Sequence, residues 1–306
     1  MMMEDELMVE GDVTEYIHTP NRVMSPCQWP GGKGKLVKKI LPHFRYDRKV
    51  YIEPFCGMAS MFWHKKLHEV EVLNDLNGDV VNLFRVLQDK NLFEDFSHKI
   101  YYTLYSREEF AKAIHLQSDD PVERAWGFYV RQNQGFSGIS TSEGTWSRAF
   151  ISKRGMAATT CTWLGRMKLL PKWHERLMRV QIDHQDAVKS LKYWGGKDTF
   201  AYLDPPYVLE TRLNSTKIYK ECEMDDEQHK VLIQALLDDQ ETMFVLSGYD
   251  HPIYKPLEDA GWQVEKFEIF SSIQNRKPQG DQMGEKSKRT EVLWISPNAK
   301  TNFNIF

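Results

Sequence analysis

The chain has 306 residues, 41% of them hydrophobic and 27% charged, a globular balance that excludes a disordered or fibrous protein. No apolar run approaches the ~20 residues of a membrane-spanning helix. Four dispersed cysteines (Cys27, Cys56, Cys161 and Cys222) form no CxxC pair, which excludes a disulfide scaffold and a cysteine zinc site and fits a reducing, cytoplasmic setting.

Residues 1–22 read as a disordered acidic leader. Glu4, Asp5, Glu6, Glu10 and Asp12 crowd its start, and no basic-then-apolar pattern marks a secretion signal. Residues 49–53 (KVYIE) read as a buried strand that stops at Pro54, and 59–67 as the helix after it. A strand at 70–73 and a helix at 80–87 repeat the unit. Later come strands at 179–182 and 199–203, and a helix at 225–237 opened by acids, as the helix dipole favours. A strand at 243–246 and a closing pair at 262–270 and 290–295 complete the series. This alternation predicts an α/β fold, a Rossmann-like parallel or mixed sheet with helices on both faces.

Residues 91–175 break the rhythm. They read as mostly helical (108–116 and 122–131), then Gly- and Ser-rich over 135–146, a hairpin or mobile loop. The predicted layout is therefore a catalytic domain of 23–90 and 176–300 carrying 91–175 as an inserted recognition domain.

The net charge of −3 does not point to nucleic acid, but its distribution matters more than its sum. Between Gly144 and Ile182, eight basic residues (Arg148, Lys153, Arg154, Arg166, Lys168, Lys172, Arg176 and Arg179) face the single acid Glu175, a local charge of +7. A second basic group is Arg276, Lys277, Lys286, Lys288 and Arg289, diluted by Asp281 and Glu285. One such cluster is commonly a solvated face; two in loop-rich stretches favour a polyanion surface.

The chemistry concentrates in Asp204-Pro205-Pro206-Tyr207, directly after a strand. Ligands of open α/β sheets bind beyond the carboxyl ends of the strands. Two prolines there fix the backbone and remove two N–H donors while keeping their carbonyls. The loop offers a carboxylate, a rigid carbonyl and an aromatic ring, and no nucleophile. Alkylating an exocyclic amine needs that set: the N6 lone pair of adenine is delocalised, and two acceptors on its hydrogens favour a tetrahedral nitrogen. Tyr207 would stack on a base turned out of the duplex. Upstream, Glu53-Pro54-Phe55-Cys56-Gly57-Met58-Ala59-Ser60 is a tight strand-to-helix turn. Asp75, 18 residues after Gly57, stands where nucleotide-binding sheets hold a ribose diol. The absence of a full GxGxxG weakens a dinucleotide reading. Lys33, in a Gly-Gly-Lys-Gly turn, reads as a ligand-facing lysine, since a Walker A spacing is missing; Trp29 suits a core or a cofactor-facing place equally. The ten histidines show no paired ligand spacing, so no metal is expected.

Taken in order, these blocks resemble the Dam-like, D12 class of adenine-N6 DNA methyltransferases over residues 27–296. Gln28 to Lys33 looks like that family's W-x-G-G-K block, Glu53 to Ser60 its E-P-F-x-G block, Asn74 to Asn77 its ribose-binding block, and Asp204 to Tyr207 an intact D-P-P-Y. Asp186, in Asp183-His184-Gln185-Asp186, is similar to an acid near the cofactor adenine, and 244–250 to the strand bordering the target base. The resemblance implies S-adenosylmethionine as methyl donor, bound by Trp29, Lys33, Glu53, Phe55, Gly57, Asp75 and Asp186, with Asp204, Pro205, Pro206 and Tyr207 catalytic. It implies double-stranded DNA as substrate, taken by base flipping and direct in-line transfer, in a bacterial or phage-encoded cytoplasmic enzyme. It admits a cognate restriction endonuclease as partner, and a monomer or weak dimer suffices. Arg131, Asn133, Arg148, Lys153 and Arg154 are the candidate DNA contacts. The segment 131–138 departs from the family's run, with Ile139-Ser140 in place of an arginine, so no target sequence follows. Cytosine-N4 enzymes usually show Ser-Pro-Pro-Tyr and RNA adenine enzymes often end in Trp, so Asp204 and Tyr207 favour adenine in DNA. The intact Gly57, Asp75 and Asp204 disfavour a decayed regulatory module.

Overall fold

Strands whose residues alternate between two apolar environments must be covered on both faces, and the strands here do so. The computed structural model describes residues 23–136, 142–208, 210, 222–270 and 288–300. The expected acidic leader and much of the second basic group lie outside them. In chain order the first half comprises α1 (Val37–Ile40), β1 (Val50–Glu53), β2 (Val70–Asn74), α2 (Gly78–Gln88), α3 (Lys90–Tyr101), α4 (Arg107–His115) and α5 (Pro121–Gln134). A small hairpin, β3 (Ser152–Lys153) and β4 (Met156–Ala157), leads to α6 (Ala158–Met167) and α7 (Leu170–Leu177). Then follow β5 (Gln181–Asp183), α8 (Ala187–Trp194), β6 (Thr199–Leu203), α9 (Asp226–Asp238), β7 (Met243–Tyr249), α10 (Lys255–Asp259), β8 (Gln263–Phe270) and β9 (Lys288–Ile295).

Seven strands form one sheet in the order β5-β2-β1-β6-β7-β9-β8. The first five run parallel, and β9 lies antiparallel between β7 and β8. Tyr51, Leu73, Phe200, Tyr202, Val245 and Leu293 point into a core shared with α1 to α7. Ile52, Val72, Ala201, Leu203, Phe244, Leu246 and Trp294 point the other way, onto Leu191 of α8, Leu232 and Leu236 of α9 and Leu257 of α10. This is the period-two signature of a doubly covered sheet, and it makes the fold the Rossmann-like α/β sheet the sequence predicts. Among the described residues no helix is long and apolar enough to cross a membrane.

Helix starts follow local chemistry. Asn77 accepts the amides of Asp79 and Val80 at the head of α2, and Asp225 and Gln228 form a reciprocal capping box on α9. The helices of residues 91–175 pack round Trp126, Tyr129, Trp163 and Trp173, all buried in the same core as one face of the sheet. Arg176 of α7 reaches Glu71 of β2 through its two terminal guanidinium nitrogens, at 2.5 and 2.8 Å. Buried Lys65 also pairs with Glu71. Burial raises the Glu71 carboxyl, but Lys65 and Arg176 outweigh it and bring it down to about 2.

The helix expected over 59–67 does not form. That stretch is a succession of turns, closed by bonds such as Ala59 N–H to Cys56 O at 2.6 Å and Trp63 N–H to Ala59 O at 3.2 Å. The chain enters this stretch left-handed, with Gly57 at φ +47° and Ala59 at φ +51°, so no α-helix starts at Ala59. Ala59 stands where a glycine would be strain-free, and left-handed alanine costs about 1 kcal/mol. Ala59→Gly is therefore expected to raise the urea-unfolding free energy by about 0.5–1 kcal/mol. A loss of stability instead would mean that packing of the buried methyl outweighs the strain.

Candidate functional site

Loops from β1, β2 and β6 meet at the carboxyl edge of the parallel strands. After β1 the chain turns at Gly57, whose N–H donates to Asp75 Oδ2 at 2.7 Å; the N–H of Asn77 donates to Asp75 Oδ1 at 2.8 Å. The carboxylate after β2 is thus fixed by two backbone amides from two loops. Burial pushes the Asp75 carboxyl up, and these two bonds oppose the shift. Only glycine serves at position 57: a Cβ there would lie 2.6 Å from Trp29 Nε1, and φ is +47°. Trp29 is half-buried and leans on Phe128 of α5, ring centroids 6.1 Å apart. Asn74, whose role the sequence concealed, binds the loop ends together. Its amide donates to Pro54 O at 2.9 Å and Gln185 O at 3.0 Å, and its oxygen accepts from Gln185 N–H at 3.0 Å.

Beyond β6, Pro205 is buried, and Asp204, Pro206 and Tyr207 are partly open. Asp204 Oδ1 accepts from Lys33 Nζ at 2.7 Å and from Ser247 Oγ of β7 at 2.9 Å. Ser247 is fully buried and also meets Tyr202 OH at 3.2 Å. Lys33 is 5% exposed, so a lysine that could have been one more surface charge is internal. Its ammonium also donates to Gly31 O at 3.1 Å and stands 4.5 Å from the Tyr207 ring centroid. Tyr207 meets Tyr249 edge to face at 4.4 Å. Its hydroxyl donates to Glu291 of β9, a residue no sequence motif marked.

Other predicted residues fall elsewhere. Glu53 is 2% exposed, and its Oε1 braces the glycine loop by accepting from Tyr51 OH at 2.6 Å and Phe62 N–H at 2.8 Å. Burial raises its carboxyl to about 8 against those bonds and Lys65. Phe55 packs on the second core. Asp186 is exposed and accepts from Lys189 N–H at 3.1 Å, which caps α8, while Asp183 of the same motif closes β5.

The expected DNA contacts divide. Asn133 is 6% exposed and donates to Pro26 O at 3.2 Å, so its side chain holds α5 to the N-terminal block and is not presented to DNA. Arg131 reaches Ala113 O at 2.9 Å and pairs with Asp79 at 3.4 Å, again an internal tie. Arg148, Lys153 and Arg154 are exposed, the last two on the β3–β4 hairpin, whose turn places Arg154 and Gly155 at φ +54° and +77°. Beside them Phe150 is 86% and Ile151 76% exposed. Of the other basic residues in that cluster, Lys168, Lys172 and Arg179 are exposed, whereas Arg166 is buried and Arg176 is engaged by Glu71.

Comparison with known proteins agrees with this geometry. The D12 class N6 adenine-specific DNA methyltransferase family matches residues 29–269. A DNA N-6-adenine-methyltransferase of Escherichia phage P1 is 24% identical over 78% of this chain, which spans 31% of the phage protein. A DNA adenine methylase of Haemophilus influenzae is 24% identical over 62% of this chain and 66% of its own length. The type II methyltransferase M1.LlaDCHI of Lactococcus lactis subsp. cremoris is 21% identical over 87% of this chain and 93% of its own. Among solved structures, an O-methyltransferase from Bacillus cereus described in complex with SAH gives a TM-score of 0.34 at 8% identity over 95% of this chain and 93% of its own, too distant to bear on the chemistry. With its family's signature blocks gathered at one edge of the sheet, the chain belongs to the D12 class N6 adenine-specific DNA methyltransferases.

Proposed function

We propose that the protein transfers a methyl group from S-adenosylmethionine to N6 of adenine in double-stranded DNA. The observation that carries this reading is the Asp204 carboxylate at the end of β6, set with Lys33, Ser247 and Tyr207 beside the Gly57–Asp75 turn. The residues present fit that cofactor: a carboxylate beyond β2, Asp75, is preset by the backbone amides of Gly57 and Asn77, and the Trp29 ring packs on Gly57 beside it. Trp29, Gly57 and Asp75 would hold the molecule, with Asp186, which caps α8, as the candidate acid toward its adenine. When bound, S-adenosylmethionine supplies an electrophilic methyl group.

The chain's own residues then position the amine. The bonds from Lys33 and Ser247 both fall on Asp204 Oδ1, which favours Oδ2 as the acceptor of one N6 hydrogen, with the rigid Pro205 carbonyl as acceptor of the other. Charge that develops on nitrogen is met by a carboxylate already oriented by a buried serine, so little reorganisation accompanies the step. Tyr207 offers a ring face for a base turned out of the duplex, and an in-line approach suits a site without a nucleophile. Residues 91–175 serve as the recognition insert. Their exposed hairpin, with Arg148, Lys153 and Arg154 about bare Phe150 and Ile151, suits phosphate contact and apolar contact together.

The direct test is methylation-aware sequencing of DNA from cells expressing the chain, which also reports the target sequence. Wild type is expected to deposit N6-methyladenine and Asp204→Ala to lose at least about 100-fold of it; undiminished methylation by that variant would reject the mechanism. Gly57→Ala is expected to weaken S-adenosylmethionine binding by at least about tenfold in calorimetry, the weight of ~1.4 kcal/mol of displaced Trp29 and strained backbone. Lys153→Ala with Arg154→Ala is expected to leave cofactor binding unchanged and to reduce the salt slope of DNA binding by about two. An unchanged slope would remove the hairpin from the interface.

A further inference from the structure

Glu291 has no part in the chemistry derived above, yet it is the one acid in the inner stretch of β9, followed by Val292, Leu293, Trp294 and Ile295, all buried. It is itself 2% exposed. The strand's pairing with Tyr249 and Phe267 is a backbone matter and needs no carboxylate. A carboxylate buried there costs several kcal/mol unless it is paired. Its partners are the two groups that flank Asp204: the Tyr207 hydroxyl, which donates to its Oε1, and Lys33 Nζ, 3.4 Å from the same oxygen. Lys33 therefore stands between two carboxylates, at 2.7 Å from Asp204 and 3.4 Å from Glu291.

This arrangement answers a difficulty of the proposed reaction. As Asp204 Oδ2 engages adenine N6, negative charge is drawn away from Oδ1, which holds Lys33. An ammonium as enclosed as this one cannot leave an anion without another to receive it, because an unpaired buried charge costs several kcal/mol. We infer that Glu291 is a positioning residue that receives Lys33 as adenine engages Asp204, and that fixes the Tyr207 ring through its hydroxyl. The inference rests on the reading of Asp204 as the N6 acceptor. Burial and the nearby Asp204 carboxylate raise the Glu291 carboxyl above its ordinary value, and Lys33 and the Tyr207 hydrogen bond oppose that rise.

The test is a double-mutant cycle on the full chain, with single-turnover methylation of a duplex carrying the site found for wild type. Glu291→Gln keeps an acceptor for Tyr207 but no charge for Lys33. It is expected to slow methylation by about 10- to 100-fold, the weight of a charge-assisted hydrogen bond, with S-adenosylmethionine binding within about threefold of wild type. Glu291→Asp should retain more rate than Glu291→Gln. Lys33→Met with Glu291→Gln should be no slower than the slower single variant, because the two residues act as a unit. A merely structural glutamate would lower Tm and would not show this coupling. Should Glu291→Gln prove too unstable to assay, the cycle of Lys33→Met with Glu291→Asp tests the same coupling. Rates within twofold of wild type, or single effects that multiply, overturn the inference while leaving the proposed activity in place. A wild-type chain that forms no N6-methyladenine overturns both.

Discussion

A strand buried on both faces can offer chemistry only at its ends, and this constraint organises the molecule. β1, β2, β6 and β7 commit their alternating side chains to two cores. Polar groups are left to the carboxyl edge, where Gly57 bonds Asp75 and Ser247 bonds Asp204. The exceptions follow the same logic. Glu53, Glu71 and Glu291 are buried acids, and each is matched to donors: backbone and tyrosine for the first, Lys65 and Arg176 for the second, Lys33 and Tyr207 for the third.

Much of this was legible in the chain itself. The strand at 199–203 and the Asp204 motif after it carry their signal locally, in an apolar run that ends on a carboxylate and two prolines. Asp75 was legible from its distance to Gly57. Glu291 was not, because its partners Lys33 and Tyr207 lie far off along the chain and meet only when β9 docks beside β7. Asn133 misled for the opposite reason: a polar residue near the end of a helix beside a glycine looks exposed, and only packing against Pro26 shows it buried. The turns after β1 begin on a left-handed Ala59, a conformation that residue identity does not reveal.

The helical segment between β2 and β5 is tied to the sheet and to its own first helix by charge at two points. Asp79, in the first turn of α2, pairs with Arg124 and Arg131 of α5 at 3.1 and 3.4 Å. The same helix begins on Asn77, whose amide grips Asp75. At the far end Arg176 reaches Glu71. A shift of Asp75 on ligand binding would therefore be felt along α5, which runs toward the proposed DNA-reading loop. This is continuity of contact, the material from which coupling between sites is built.

The tip of that segment is held differently from its base. Phe136 N–H donates to Thr145 O and Ser147 N–H to Gln134 O, both at 2.8 Å, while Ala158 N–H closes on Ile151 O at 2.9 Å. These are main-chain clasps, indifferent to the side chains they enclose. What lies between them can change its residues, and even its length, at small cost to the helices below, since surface loops tolerate insertion far better than cores do. The fold thus behaves as a fixed socket with an exchangeable cassette: on the proposed reading, variation confined to the tip shifts which DNA is contacted while the Asp204 site keeps its geometry.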